Sequence, residues 1–533
     1  MKKTAIAAAS LLAAILLVFS ACKQPSDDSG DDSGDDTTAN VISADITANT
    51  TLATGVWTVT STFTVSADLI IPAGTTLNFQ ANTAMIVDTN GSVTASGTSG
   101  EPVVFTSAKT TKAAGDWNGI QVFSNSASFT YCTFSYADTA LDLRGSANTV
   151  NSCTFSHNTN GLDISALAAD ATVVGNTFSG NGEPLLVNGK INLGDTNSFA
   201  DNTSQRIFFD GSDIPAGTST YTWAETEVPF YVNGTFTVNA PLVINPGVTL
   251  AFAAGQQLIV DANASIAANG TDLAPITFTS AKTTKAAGDW AGIQVFANSA
   301  SFSHCTVSYA ATGIDFRGTN NAVDYCTFSH NTNGLDMTAL SATVGVTNTA
   351  FSANVEPLLV NGLNNLGATN TFTGNTNQRI YVEGSDIPAG TATVWAETGV
   401  PFYVNATFTA YDSLTVDAGV TVAFASGQQL IIDSTASLAV AGTSAAPVTF
   451  TSALTTKAAG DWSGLQIWGT ATIDWGVFSY ADTALDLRND AFELTNSTIS
   501  YDNLGIDNYA STWTDTTGTN TYSNNGTDID PNL

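Results

Sequence analysis

Apolar and polar residues alternate with period two in short runs along most of this chain. In ALDLRG, Leu141 and Leu143 fall on one side of an extended strand, and Asp142 and Arg144 fall on the other, because successive side chains of a strand point to opposite faces. Gly, Asn and Ser, residues that turn a chain, separate the runs. A longer period lies above this alternation. Within a T-F-S pattern, Phe134, Phe155, Phe178 and Phe199 stand at steps of 21, 23 and 21, and Val307, Phe328, Phe351 and Phe372 repeat those steps. Phe478, Ile499 and Tyr522 follow at 21 and 23. One bulky apolar residue per 21 to 23 positions predicts one rung per coil of a solenoid, with the bulky side chains in a common interior column.

A third period contains the other two. FTSAKTTKAAGDWNGIQVF at 105 returns as FTSAKTTKAAGDWAGIQVF at 278 and FTSALTTKAAGDWSGLQIW at 450, which sets Trp117, Trp290 and Trp462 apart by steps of 173 and 172. GSDIPAG recurs at 211 and 384, and VPFYVN at 228 and 400. Three super-repeats follow, near residues 52–222, 223–394 and 395–533. Asn197 stands 34 positions after Asp163, whereas Asn520 stands 13 after Asp507, a difference of 21 that predicts a whole coil deleted from the third repeat.

NPGVTLAF at 245, APITFTS at 274 and GDWAGI at 288, set among short alternating strands, resemble the right-handed parallel β-helix of the pectate-lyase-like superfamily. The resemblance covers about residues 45–530 and implies an all-β solenoid. Leucine-rich, hexapeptide and G-G-x-G-x-D solenoids fit worse, because their signatures are missing. Coils stacked at ~4.8 Å would make a rod of about 22 coils and on the order of 100 Å, with eight coils, about 38 Å, between equivalent tryptophans.

Composition agrees with this class and narrows the partners. Of 533 residues, 43% are apolar and only 11% charged, and the formal charge is −32. Such a chain has no basic patch to neutralise phosphates, so nucleic acid and electrostatic docking on anionic lipid are both excluded as partners. Lys2 and Lys3 precede an apolar run from Ala5 to Val18 that ends in Phe19-Ser20-Ala21-Cys22. The layout is that of a secretory signal, and it resembles the lipobox of bacterial lipoproteins, which implies cleavage after residue 21 and acylation of Cys22. Residues 22–44, with paired Asp at 27/28, 31/32 and 35/36 among Ser and Gly, read as a flexible acidic tether ahead of a β-helix from 45 to 533.

The remaining cysteines form two equally spaced pairs, Cys132/Cys153 and Cys305/Cys326, each with a step of 21 and therefore on adjacent coils. Either two disulfides or two stacks of inward thiols satisfy this spacing, and an exported protein permits the former.

The most specific polar constellation is an aspartate pair with an arginine: Asp142, Asp163 and Arg144; Asp315, Asp336 and Arg317; Asp486, Asp507 and Arg488. Alternation places all three side chains outward. The group reads as an Asp-Arg-Asp bridge, as a repeated Ca²⁺ site, or as the ~5 Å carboxylate pair of a retaining glycosidase. Pectate lyases combine an acidic Ca²⁺ cluster with an Arg base, and the resemblance can place that machinery only at the Asp142 group or its copies. All five Arg recur at repeated positions, which speaks against a single catalytic cleft. His157 and His330 exchange with Tyr501, and His304 with Tyr131 and Trp475, a pattern of stacked rungs. Trp117, Trp290 and Trp462 read either as sugar-stacking platforms or as covers over a coil corner. The expected function is therefore a lipid-anchored rod of the bacterial envelope, at the outer membrane or cell surface, with a structural, adhesive or glycan-binding role. A polysaccharide lyase or glycoside hydrolase is the alternative.

Overall fold

The computed structural model describes residues 40–167, 171–341, 344–509, 511 and 513–530, and Cys22 with most of the acidic segment lies outside them. The described residues form a right-handed β-helix of about twenty-one turns, all strands and corners with no helix. The first strand, Asn40–Ile42, pairs in parallel with Val56–Val59. The solenoid thus begins ahead of the boundary expected at 45, because Asn40–Ile42 already lies in register with the coil above.

One coil shows how the sequence builds the rest. Strand Cys132–Ser135 carries the rung residue Phe134, Tyr136 turns the chain, Ala137–Leu143 forms the next side, and Thr149–Asn151 forms the third before Ser152 turns again. Tyr136 and Ser152 have φ of 65° and 53°, a left-handed conformation that costs an L-residue roughly 1–2 kcal/mol. Stacking offsets part of that cost where the corner is aromatic: the Tyr136 and His157 rings lie 5.5 Å apart, Tyr309 and His330 5.2 Å, and Tyr480 and Tyr501 5.6 Å. The histidines are corner rungs, as their exchange with aromatics predicts.

The interior column is present. Phe105, Phe134, Phe155, Phe178 and Phe199 stack with successive centroid separations of 5.0, 4.8, 5.1 and 5.1 Å. Beside it runs a polar column that the sequence reading did not anticipate. Asn158, Asn181 and Asn202 are all buried. Asn181 Oδ1 accepts from the backbone N–H and Nδ2 of Asn158, while Asn181 Nδ2 donates to Phe155 O and Asn202 Oδ1. Each side chain thereby serves corner groups that the parallel ladders leave unpaired.

The third repeat has the same coil after Asp507 as the first has after Asp163. The backbone N–H of Ser497 donates to Asn520 Oδ1 as that of Cys153 donates to Asn176 Oδ1, with the same step of 23 in both cases. Asn520 is therefore the counterpart of Asn176, not of Asn197, and no internal coil is missing.

The sheets reveal how the super-repeats are joined. Seven sheets, taken in order, run from Asn40–Ile42 to Ser198–Ala200, Phe63–Val65 to Thr371–Thr373, Thr50–Thr51 to Thr172–Val174, Tyr221–Trp223 to Gly345–Thr347, Phe236–Val238 to Thr521–Ser523, Thr393–Trp395 to Phe492–Thr495, and Phe408–Ala410 to Thr527–Asp530. Strand Cys132–Ser135 lies in the first sheet, but its counterpart Cys305–Ser308 lies in the second and Gly476–Ser479 in the fifth. From Trp117–Val122 seven steps along the second sheet reach Ile276–Ser280, and Trp290–Val295 follows on the next face. A super-repeat is seven coils plus one face, not eight coils, so each copy is turned by one face relative to the last.

Candidate functional site

Each of the three tryptophans is an interior plug, which matches the corner-cover reading and not the sugar-stacking one. Trp117, Trp290 and Trp462 are 0% exposed. Their Nε1 groups donate to Ser135 O, Ser308 O and Ser479 O at 2.9, 2.8 and 2.9 Å. Their rings lie on Phe79, Phe252 and Phe424 at 4.1, 4.1 and 4.3 Å. The preceding Asp straps the loop down in the first two repeats: Lys109 Nζ meets Asp116 Oδ1 at 2.7 Å, Lys282 Nζ meets Asp289 Oδ1 at 2.7 Å, and Leu454 stands at the lysine position of the third. The G-D-W motif is a structural closure.

The cysteines are also interior. Cys132, Cys153, Cys305 and Cys326 are buried free thiols, the second of the two arrangements that their spacing allows. Parallel strands in register send both side chains of a pair the same way, so the sulfurs follow one another up a column. Cys132 N donates to Cys153 Sγ at 3.4 Å, and Cys305 N to Cys326 Sγ at 3.4 Å. Burial pushes the Cys132 thiol up and keeps it protonated.

The aspartate-arginine groups are on the surface, as expected, but they do not form a bridge across two aspartates. Asp142 Oδ2 accepts from Arg144 Nη2 at 2.8 Å, from Arg144 Nε at 3.0 Å and from Gln121 Nε2 at 2.9 Å. Asp163, one coil on, turns instead to its own corner and accepts from the Ser165 N–H and hydroxyl at 2.9 and 2.7 Å. The second repeat repeats this: Arg317 meets Asp315 at 2.9 Å, and Asp336 holds Thr338. In the third, Arg488 takes both oxygens of Asp486 at 2.6 and 2.8 Å. This donor set does not fit Ca²⁺, because a guanidinium already occupies the place of the cation. Among the described residues no group of three or more His, Cys, Asp or Glu side chains converges as a metal site. The retaining-glycosidase geometry fares no better, since three donors already converge on Oδ2 of Asp142 and Asp163 turns to its own corner. The hydrogen bonds that Arg144 and Arg488 donate to Asp142 and Asp486 drive the arginine pKa values further up, the wrong direction for an arginine base.

These residues belong to longer outward rows. On the second sheet, register aligns Gln121, Asp142, Asp163, Leu186, Phe208 and Tyr231. On the fifth, it aligns Gln294, Asp315, Asp336, Leu359, Tyr381 and Tyr403. Each full row has an acidic half and an aromatic half. The aromatic half is held by a second arginine: Arg206 pairs with Glu183 and lies 4.0 Å over the Tyr231 ring, and Arg379 pairs with Glu356 and lies 4.0 Å over Tyr403. Phe208 and Tyr231 are half-buried, with their outer surface in solvent. The sequence signal for these aromatics was the repeated VPFYVN, in which alternation points the Tyr outward.

The third row, on the seventh sheet, aligns Gln466, Asp486, Asp507 and Asp530, and no aromatic residue lies in it among the described residues. Its aromatics stand beside it: Arg488 lies 5.6 Å from the Trp468 ring and 4.1 Å from that of Tyr509, which are 45% and 61% exposed. The enclosed Arg488 side chain is 18% exposed, against 43% for Arg144. Ile86 stands at the foot of the first row, and beside it Ala84, where the later repeats carry Gln257 and Gln429, lines a shallow depression of ≈ 220 Å³ with Gln121 and Asp142.

Comparison with protein families agrees with the architecture. The family described as pectate-lyase like beta helix domain matches residues 44–181, 216–371 and 398–509, one stretch in each super-repeat, and a right handed beta helix region matches 118–263. No curated protein and no solved structure matches the chain.

Proposed function

Since the chain belongs to the pectate-lyase-like β-helix domain family, we propose that it uses that scaffold to bind polysaccharide and not to cleave it, as a lipid-anchored rod of the bacterial envelope. The observation that carries this reading is the recurrence of one outward row, acidic at one end and aromatic at the other, with every arginine already committed to a carboxylate. Fold alone does not decide between binding and cleavage. The outer parts of these half-buried aromatic side chains offer apolar surface to pyranoses, and the row carboxylates supply acceptors for sugar hydroxyls. A net charge of −32 disfavours polyuronates and leaves uncharged polysaccharide as the ligand class. Acylation of Cys22 would hold the rod at the membrane, with the acidic segment after it as a leash.

The test is retention in native gels cast with an uncharged β-glucan. The full chain is expected to be slowed, and Tyr231→Thr with Tyr403→Thr to weaken retention about tenfold, with no new reducing ends in the glucan. Appearance of new reducing ends that Arg144→Ala alone abolishes would establish the enzyme instead. Cys22→Ser is expected to release the protein from the membrane fraction.

A further inference from the structure

The first two rows carry the same acidic and aromatic surface and the third repeats its acidic part, but the three do not share a side of the molecule. The first lies on the second sheet, the second on the fifth, and the third on the seventh. The second sheet, after carrying the first row, continues upward as the side that holds Cys305–Ser308 and Thr327–Ser329 of the next repeat, while the row of that repeat sits one face further round. The same displacement recurs between the second and third repeats, where the fifth sheet passes from Asn333–Met337 to Gly476–Ser479. Its origin is the repeat length: the steps from Trp117 to Trp290 and from Trp290 to Trp462 each make seven coils and one face, and no whole number of coils would turn the site.

From this, and resting on the binding reading above, we infer that the rod cross-links separate strands of uncharged polysaccharide instead of lying along a single one. A row of six strands spans about 24 Å at ~4.8 Å per coil, and equivalent rows start about 34 Å apart along the axis. A stiff strand seated along the first row runs parallel to the axis and stays on the second sheet. To reach the second row it has to leave that side and cross a corner. Linked sites add avidity on one ligand only if that ligand can engage them together. Where geometry directs them to different sides, each site takes its own strand, and the protein becomes a junction between strands. The third row completes the set with Trp468 and Tyr509 flanking Arg488 in place of the aromatic half.

Light scattering of the full chain mixed with a soluble, uncharged β-glucan of defined length tests this. Scattering is expected to rise at least tenfold, to peak at an intermediate protein-to-glucan ratio, and to fall again in protein excess as strands become singly occupied. A variant with one aromatic row left, Tyr403→Thr, Trp468→Thr and Tyr509→Thr, is expected to be retained about tenfold more weakly but measurably in the glucan gel and to lose the scattering peak even at glucan concentrations that restore its occupancy; threonine is already frequent at outward strand positions, and thermal unfolding checks that the fold persists. Retention in the gel with no scattering peak at any ratio overturns cross-linking and leaves the binding reading standing. No retention of the unmodified chain overturns the binding reading and cross-linking together.

Discussion

Asp502 stands where the first two repeats place Asn158 and Asn331, and the exchange changes what the asparagine column can do. Asn331 Nδ2 donates to Val307 O and Asn354 Oδ1 at 3.0 and 3.1 Å. Asp502 keeps the accepting half, with its Oδ1 taking the Ala481 N–H at 2.6 Å, but its buried Oδ2 has no partner. Only a protonated carboxyl can donate from that atom, and burial pushes the Asp502 pKa up from 3.8 to about 7. The proton is thus held by the folded state at pH values where the unfolded chain has lost it. Stability from this group is complete below about pH 4, declines as pH rises, and is lost once pH passes about 7. Asp502→Asn is expected to remove that decline and to stabilise the third repeat at pH 8 by on the order of 3 kcal/mol, read from urea unfolding at pH 5 and 8. An unchanged pH profile in the variant would refute the protonated form. Residue-scale features of this kind were hard to read in advance. Asn is the ordinary corner residue, and nothing in its spacing alone distinguishes a turn on the surface from a ladder in the interior.

A coil is held by two unlike columns, and each fails differently. Phe155 sits between Phe134 and Phe178 at 4.8 and 5.1 Å, so Phe155→Ala removes buried area and two ring stacks and is expected to cost about 3–5 kcal/mol. Asn181→Ala removes little area but leaves the Asn158 N–H and Phe155 O without their partners. At ~1–3 kcal/mol for each orphaned buried group, it is expected to cost about as much as the much larger phenylalanine. Chemical unfolding of the two variants checks the comparison; a cost for Asn181→Ala below that of an ordinary surface change would show that the polar column is not structural. The phenylalanine column was legible because a bulky residue every 21 to 23 positions admits few other readings. For the tryptophans the sequence left two readings, and the structure has the corner cover. Their choice of side turns on a carbonyl one coil away, Ser135 O for Trp117 and Ser479 O for Trp462, a contact that no local pattern displays.

At the scale of the whole rod, the class of fold and its three-part repetition could be read directly, whereas the turn between copies could not. Dividing the tryptophan spacing by a coil of 21 to 23 gives a number close to eight, and the longer coils around GSDIPAG absorb the difference unseen. The same coils decide how the copies are joined. The first and third sheets end near Ser198–Ala200 and Thr172–Val174, yet the second continues without a break to Thr371–Thr373, and the fifth in turn carries the chain from Phe236–Val238 to Thr521–Ser523. Limited proteolysis is accordingly expected to yield no fragments cut near residues 222 or 394 under conditions that trim the N-terminal segment. Accumulation of three fragments of similar size would contradict this.

A splice of this type has a mechanical meaning. Wherever some ladders stop, another spans the gap, as staggered planks do in a hull, so the column has no plane across which all backbone pairing ceases at once. Tension along the shaft would meet an unbroken ladder at every level, and the splices, where the fewest ladders share the load, are where it would yield first.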